Sequence, residues 1–113
     1  MTRLLQENQV DKNVKNNDGL TPFHYAAREG YLKVCEILIE NGVDKNVGDK
    51  DGDTPLHMAA QKGRFRICQF LIKSGVKLNL RNKNEKTARD LAYAAEQLKV
   101  CNYLESLRKR PFQ

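Results

Sequence analysis

The sequence predicts an all-α solenoid of stacked helix–turn–helix units with projecting turns or hairpins. The main observation is an internal period of 33 residues, because residues 21–27, TPFHYAA, return as residues 54–60, TPLHMAA. A less complete copy, TARDLA, follows at residues 87–92. The same step links Gly30 to Gly63, Cys35 to Cys68 and Cys101, Leu38 to Leu71 and Leu104, and Asn13 to Asn46 and Asn79. One short helix pair cannot bury its apolar face alone, so such units are expected to stack on their neighbours.

Each unit is predicted to begin with a short helix. Thr21 and Thr54 are suited to the N-cap, because a threonine hydroxyl can accept a hydrogen bond from an unpaired backbone N–H. A proline follows each threonine, at the helical position where proline is favoured. Gly30 and Gly63 are then expected to end the helices in the left-handed conformation.

A second helix is predicted from residues 32–39, LKVCEILI, which are apolar at helical spacing. It is expected to end near Asn41 and Gly42, and Gly75 repeats that stop one unit later. Residues 43–52, VDKNVGDKDG, are too polar and too rich in turn formers for a helix. They predict a projecting turn or hairpin before the next helix pair.

The period divides the chain into repeats of one domain. The divisions are a partial repeat at residues 1–9, full repeats at residues 10–42 and 43–75, a C-terminal capping repeat at residues 76–108 and a basic tail at residues 109–113. The last repeat departs from the pattern at Ala88, Arg89 and Asp90, and it has Glu85 and Glu96 in place of glycine. Terminal repeats face water on one side and lose apolar positions, which favours the capping role. Because the partial repeat lacks a first helix, we expect the chain to be part of a longer array.

The combined pattern resembles the ankyrin repeat. The resemblance rests on the 33-residue period, the T-P-x-H-x-A-A motif, the helix-ending glycine and the G-V-D-x-N turn at residues 42–46, and it covers nearly the whole chain. It implies that the protein binds another protein on a concave side formed by projecting turns and first helices. It also implies that His24 and His57 tie neighbouring turns together by hydrogen bonds.

Mapping the family's binding positions onto this sequence gives a candidate surface. Its residues are Lys15, Asn17, Asp18, Leu20, Tyr25, Arg28, Glu29, Lys50, Asp51, Asp53, Met58, Gln61, Lys62, Arg81, Lys83, Asn84 and Lys86. Tyrosine and arginine are favoured interface anchors, so Tyr25 and Arg28 are the leading candidates. Tyr25 and Met58 occupy equivalent positions and should form adjacent apolar spots. The alternative is that both side chains merely cover the inner helices.

A second resemblance concerns asparagines that each lie eight residues after a leucine: Asn13, Asn46 and Asn79. The spacing resembles the acceptor pattern of the oxygen-sensing asparaginyl hydroxylase that modifies ankyrin turns in animal cells. Asn46 fits it best, because Asp44 supplies the acidic residue two positions earlier and the repeat is complete. The alternative is that asparagine is simply the residue that this turn favours.

Catalytic, metal and cofactor sites are not predicted. The equal spacing of the three cysteines places them on successive stacked helices ~8–10 Å apart, whereas a disulfide needs Cα atoms within about 7 Å. We therefore expect buried, reduced thiols. No nucleophile is paired with a histidine in a known pattern, and no phosphate-binding glycine loop is present. Residues 49–53, DKDGD, lack the spacing and the closing glutamate of a calcium loop.

The formal net charge is +6, and it rises along the chain from the first full repeat to the tail. An acidic partner would be attracted to the C-terminal half, although a solubilising surface is the alternative. Lys62, Arg64 and Arg66 surround Phe65 at a helix junction without a base-stacking platform, so nucleic acid is not favoured. No apolar run approaches the ~20 residues of a membrane span, and we expect no secretory signal, because residues 1–8 become polar too early for one.

We therefore expect a monomeric scaffold or adaptor in the cytoplasm. A nuclear location is the alternative, because the basic run at residues 108–110 is a short candidate import signal. Two other functions fit the same repeats: a substrate-recruitment segment of a larger enzyme, and a host-directed effector of a parasite or intracellular bacterium. The sequence does not identify the partner, because the ankyrin binding surface carries no transferable code.

Overall fold

The computed structural model describes residues 14–108, which form six helices. The helices are α1 Pro22–Glu29, α2 Leu32–Glu40, α3 Pro55–Gln61, α4 Phe65–Lys73, α5 Ala88–Ala94 and α6 Leu98–Arg108. The described part of the chain contains no strand, so turns connect the helix pairs and the all-α prediction is confirmed. None of these helices has the length and apolar composition that crossing a bilayer requires. The predicted partial repeat at residues 1–9 and the tail at residues 109–113 lie outside the described residues.

The first helix of each pair begins with a reciprocal capping box. The Thr21 hydroxyl accepts a hydrogen bond from the His24 N–H, and His24 Nδ1 accepts one from the Thr21 N–H at 3.0 Å. The same exchange joins Thr54 to His57, with 3.1 Å between the Thr54 nitrogen and the ring. The predicted threonine caps are therefore confirmed. The return bond satisfies a second backbone donor at each helix start.

Small residues let the first helices pack closely against one another. Ala27, Ala59, Ala60 and Ala92 are fully buried where α1 meets α3 and α3 meets α5. Large apolar side chains fill the space between first and second helices; they are Phe23, Leu56, Ile67, Leu71, Val100 and Leu104. Each repeat is thus stabilised by contact with its neighbours, as in a solenoid.

The three cysteines lie in this core, one in each second helix. Cys35, Cys68 and Cys101 are all buried and free, as the equal spacing predicted. Burial raises the pKa of the Cys35 and Cys68 thiols to about 12. Both thiols are therefore protonated at neutral pH, and they act as small apolar groups.

Hydrogen bonds between repeats fix the turns in register. His24 Nε2 lies 2.8 Å from the backbone oxygen of Asp53, and His57 Nε2 lies 2.9 Å from that of Lys86. These two bonds confirm the predicted role of the histidines. In addition, the Lys50 N–H donates to the Asp18 carbonyl at 3.0 Å, and an equivalent backbone bond joins the next pair of turns.

The last repeat keeps the fold of the others despite its altered sequence. Glu85 and Glu96 have φ values of 64° and 60°, the left-handed conformation that glycine adopts at the equivalent positions. Arg89 replaces an apolar core residue, and it forms ion pairs with Asp90 at 3.3 Å and Glu105 at 3.2 Å. These charges give the last repeat a partly exposed polar surface where the first turn of α5 meets the C-terminal half of α6. The assignment of residues 76–108 as a capping repeat stays a prediction.

Candidate protein-binding surface

The turn tips are shaped by side chains that the sequence reasoning did not single out. Asn16 Oδ1 accepts hydrogen bonds from the Asp18 and Leu20 N–H groups at 2.9 and 3.0 Å. Asp49 and Asn82 repeat this pattern one and two periods later, with distances of 2.8–3.0 Å. Asparagine and aspartate commonly stabilise turns in this way. The recurrence of asparagine or aspartate at 33-residue spacing is the sequence pattern that could have identified these turn residues.

Most of the predicted binding residues are accessible in the structure, and we call the surface of the turns and first helices that carries them the turn and first-helix face. Thirteen of them are exposed: Lys15, Asn17, Asp18, Tyr25, Glu29, Lys50, Asp51, Gln61, Lys62, Arg81, Lys83, Asn84 and Lys86. Arg28, Asp53 and Met58 are half-buried. The face is held together by α1 packing on α3 and α3 packing on α5.

Leu20 does not belong to the exposed set. The residue is only 8% accessible, although the equivalent Lys86 is exposed. The reason is that leucine at this position turns into an apolar hollow that it lines with Val14 and Pro22, whereas lysine points to water. Asp53, at the same position of the middle repeat, accepts a hydrogen bond from Asn82 Nδ2 at 2.8 Å. These two residues support the turns more than they present a binding surface.

Tyr25 is held in place on the face by two neighbouring side chains. Its hydroxyl accepts a hydrogen bond from Asn16 Nδ2 at 2.8 Å, and the Arg28 guanidinium carbon lies 4.7 Å from the centre of its ring. Arg28 is fixed in turn by Glu29, with 3.0 Å between Nε and Oε2. The residue as a whole remains 39% accessible. A side chain that is already held in place loses little entropy when a partner covers it.

Charge varies along the face. In the first two turns Lys50 Nζ lies 3.0 Å from Asp18 Oδ1, and the side-chain hydrogen bond raises the pKa of Lys50. This pair is exposed, so it neutralises charge but adds little stability. The last turn instead carries Arg81, Lys83 and Lys86, with Glu85 as the acidic neighbour of Arg81 at 3.5 Å. The basic end of the face therefore lies in the last repeat.

An acidic cluster in the middle turn gives no support for a metal site. Carboxylate oxygens of Asp49, Asp51 and Asp53 lie within 4.8 Å of one another. However, Asp49 Oδ1 accepts two backbone hydrogen bonds, and Asp53 Oδ1 accepts one from Asn82. These oxygens stabilise the turn and its contact with the next repeat.

Asn46 has a structural partner. Its Oδ1 accepts a hydrogen bond from the Lys77 N–H at 2.9 Å, and its own N–H donates to Asp44 Oδ1 at 3.0 Å. The side chain thus connects two successive repeats, which supports the structural interpretation of this residue. Asn79 is exposed, and Asn13 lies outside the described residues. Hydroxylation of Asn46 stays a prediction.

Comparison with known families agrees with this geometry. The sequence model described as "Ankyrin repeats (many copies)" matches residues 1–39 and residues 24–72. Together the two matches span 72 of the 113 residues. No curated protein shows significant sequence similarity to the chain.

Proposed function

Because the chain belongs to the ankyrin repeat family, we propose that it is a scaffold or adaptor that binds a partner protein on the turn and first-helix face. Ankyrin repeats are generally protein–protein interaction modules and are typically non-catalytic. The observation that carries the proposal is the Tyr25 ring, exposed yet held by Asn16 and Arg28. Preorganised aromatic and arginine side chains are the residues that most often dominate binding energy.

The charge along the face supports a particular kind of partner. Tyr25 and Arg28 lie in the first full repeat, whereas the exposed Lys83 and Lys86 lie two turns further along the stack. A partner that seats the tyrosine ring in an apolar pocket would place a distant part of its surface over the lysines. Acidic residues there would complete the contact and speed association.

The proposal is tested by a double variant in the anchor, Tyr25→Ala with Arg28→Glu. A matched control is Tyr93→Ala with Lys73→Glu, which removes a tyrosine that is 67% accessible and reverses one charge outside the face. Quantitative mass spectrometry then compares the proteins that each immobilised variant retains from lysate. We expect one partner to be lost from the anchor variant, with an affinity decrease of about thirtyfold, and kept by the control. If both variants retain the same proteins at equal levels, the face is not the binding surface.

We further propose that the protein is monomeric and resides in the cytoplasm, with the nucleus as the alternative. Three free, buried cysteines support a reducing compartment. A fluorescent fusion in source cells tests the location, and light scattering after gel filtration tests the mass. A secreted fusion or a stable dimer would contradict these two proposals respectively.

A further inference from the structure

We propose a second interaction surface: a groove at the N-terminal ends of the second helices that binds an acidic peptide segment carrying one bulky apolar side chain. We call it the junction groove. It has a volume of about 350 Å³, an apolar floor and a basic rim. The floor is formed by Leu32, Phe65 and Ile67, and the rim by Arg64, Arg66 and Lys99. None of these residues belongs to the turn and first-helix face.

Arg64 is fixed at the rim by a bond across the repeat boundary. Its Nε donates to the backbone oxygen of Arg28 at 3.0 Å. Gly30 leaves room for the Arg64 side chain to reach this carbonyl, because a Cβ at residue 30 would lie 3.2 Å from the same Nε atom. Within residues 14–108 the two Nη groups of Arg64 form no hydrogen bond. The guanidinium is therefore held in place while its Nη N–H groups can still donate to a ligand. This geometry suits a carboxylate.

The other rim cations are Arg66 and Lys99, and the Lys99 ammonium also lies over the Phe65 ring. Arg66 and Lys99 are exposed and recur at 33-residue spacing, and neither forms an ion pair in the described part of the chain. No acidic residue occupies the first turn of α2, α4 or α6. The starts of α2 and α4 also lack a side-chain cap, so their first backbone N–H groups add positive potential. The rim thus favours negatively charged side chains.

The floor explains why a peptide fits better than a nucleic acid. Lys99 Nζ lies 4.4 Å from the centre of the Phe65 ring, and Tyr103 meets the same ring edge-on at 5.4 Å and 70°. A base needs an open aromatic face on which to stack, and this ring is already engaged on two sides. The hollow beside it is lined by aliphatic groups of Leu32 and Ile67. An apolar side chain flanked by aspartates or glutamates complements both the floor and the rim.

The test uses fluorescence polarisation with labelled ten-residue probes and the full chain. One probe has a central phenylalanine flanked by glutamates, a second has serine at the centre, and a third is single-stranded DNA of ten nucleotides. The groove variant is Arg66→Glu with Lys99→Glu. The control, Lys73→Glu with Lys77→Glu, makes the same change in net charge at exposed positions that lie outside both the groove and the turn and first-helix face.

We expect the phenylalanine probe to bind the unmodified chain and the control, and to bind the groove variant about tenfold more weakly. Circular dichroism checks that all three proteins are folded. Equal weakening by both variants, or equal binding of the serine probe, would overturn the proposal, because charge alone would then account for binding. Tighter binding of the DNA would assign the groove to nucleic acid instead. A Tyr25→Ala variant should bind the probe normally, which separates this result from the proposed function.

Discussion

His24 Nε2 lies 2.8 Å from the backbone oxygen of Asp53, a residue 29 positions later in the next repeat. The other ring nitrogen, Nδ1, accepts a hydrogen bond from the Thr21 N–H. An N–H can only donate, so Nδ1 carries no proton and Nε2 must carry one to reach the carbonyl. One neutral imidazole therefore caps its own helix and joins two repeats at the same time.

This arrangement predicts a loss of stability in mild acid. Burial lowers the pKa of His24, and this effect outweighs the hydrogen bond to Asp53, which raises it. The neutral ring stabilises the fold fully above the unfolded pKa of about 6.5, and that contribution is lost as the pH falls from there through the folded pKa. We expect the midpoint of thermal unfolding to be constant between about pH 7 and 8 and to fall below about pH 6.5. Circular dichroism melts across this range measure it.

The control for this experiment is His24→Gln, which cannot titrate. It should unfold at a lower temperature than the parent chain, because a buried cross-repeat bond is lost, but its midpoint should depend less on pH between about 5 and 7. An unchanged pH slope would mean that another group causes the acid sensitivity.

A second prediction concerns the strained glutamates. Glu85 and Glu96 adopt positive φ values at positions where the other repeats have glycine. The left-handed conformation costs an ordinary residue roughly 1–2 kcal/mol, and substitution by glycine removes this cost. Part of the resulting gain in stability is offset, because glycine is more flexible in the unfolded chain. We expect Glu85→Gly and Glu96→Gly each to stabilise the fold by about 0.5–1 kcal/mol in urea unfolding. The alanine variants remove the same charge but keep the Cβ, and they should give no such gain.

A third prediction concerns thiol reactivity. Because Cys35, Cys68 and Cys101 are buried, and the thiolate is disfavoured at Cys35 and Cys68, a chromogenic thiol reagent should react slowly with the native protein. Denaturation should release all three of the cysteines in the sequence. Rapid reaction of one equivalent in the native state would show that one thiol is exposed by local opening of its helix. Fewer than three equivalents after denaturation would indicate a disulfide.

A fourth prediction concerns modification of Asn46. We expect incubation of the folded protein with the asparaginyl hydroxylase, iron and 2-oxoglutarate to add one oxygen to this residue, a mass gain of about 16 Da. An Asn46→Ala variant is the control, since it retains Asn79 and the rest of the turn. The bond from the Lys77 N–H must open before the enzyme can reach the side chain. An unchanged intact mass would leave Asn46 with its structural role alone.

The helices and their ends could be predicted because they depend on nearby residues. Thr21 caps α1 through the N–H of His24, three residues away, and Gly30 ends the same helix, so local chemistry was sufficient. The Arg64 bond to Arg28 joins residues 36 positions apart, and it depends on how the repeats pack. Leu20 was wrongly assigned to the surface for a similar reason, because the repeat register gives a position but not its depth in each repeat.

The anchor on the candidate face was predicted only in part. Its residue types, Tyr25 and Arg28, follow from the sequence pattern, whereas the bond from Asn16 that orders the ring does not. That bond requires the preceding turn to fold back over α1. No local propensity specifies such a contact.

The turns of successive repeats are joined by bonds between main-chain atoms, from Lys50 to Asp18 and from Lys83 to Asp51. Such bonds do not depend on which side chain a tip residue carries. The tip residues can therefore change in sequence without loss of these bonds, so the fold tolerates variation at the turns. Residues 17, 50 and 83 are three aligned positions at which substitution should leave these main-chain bonds in place.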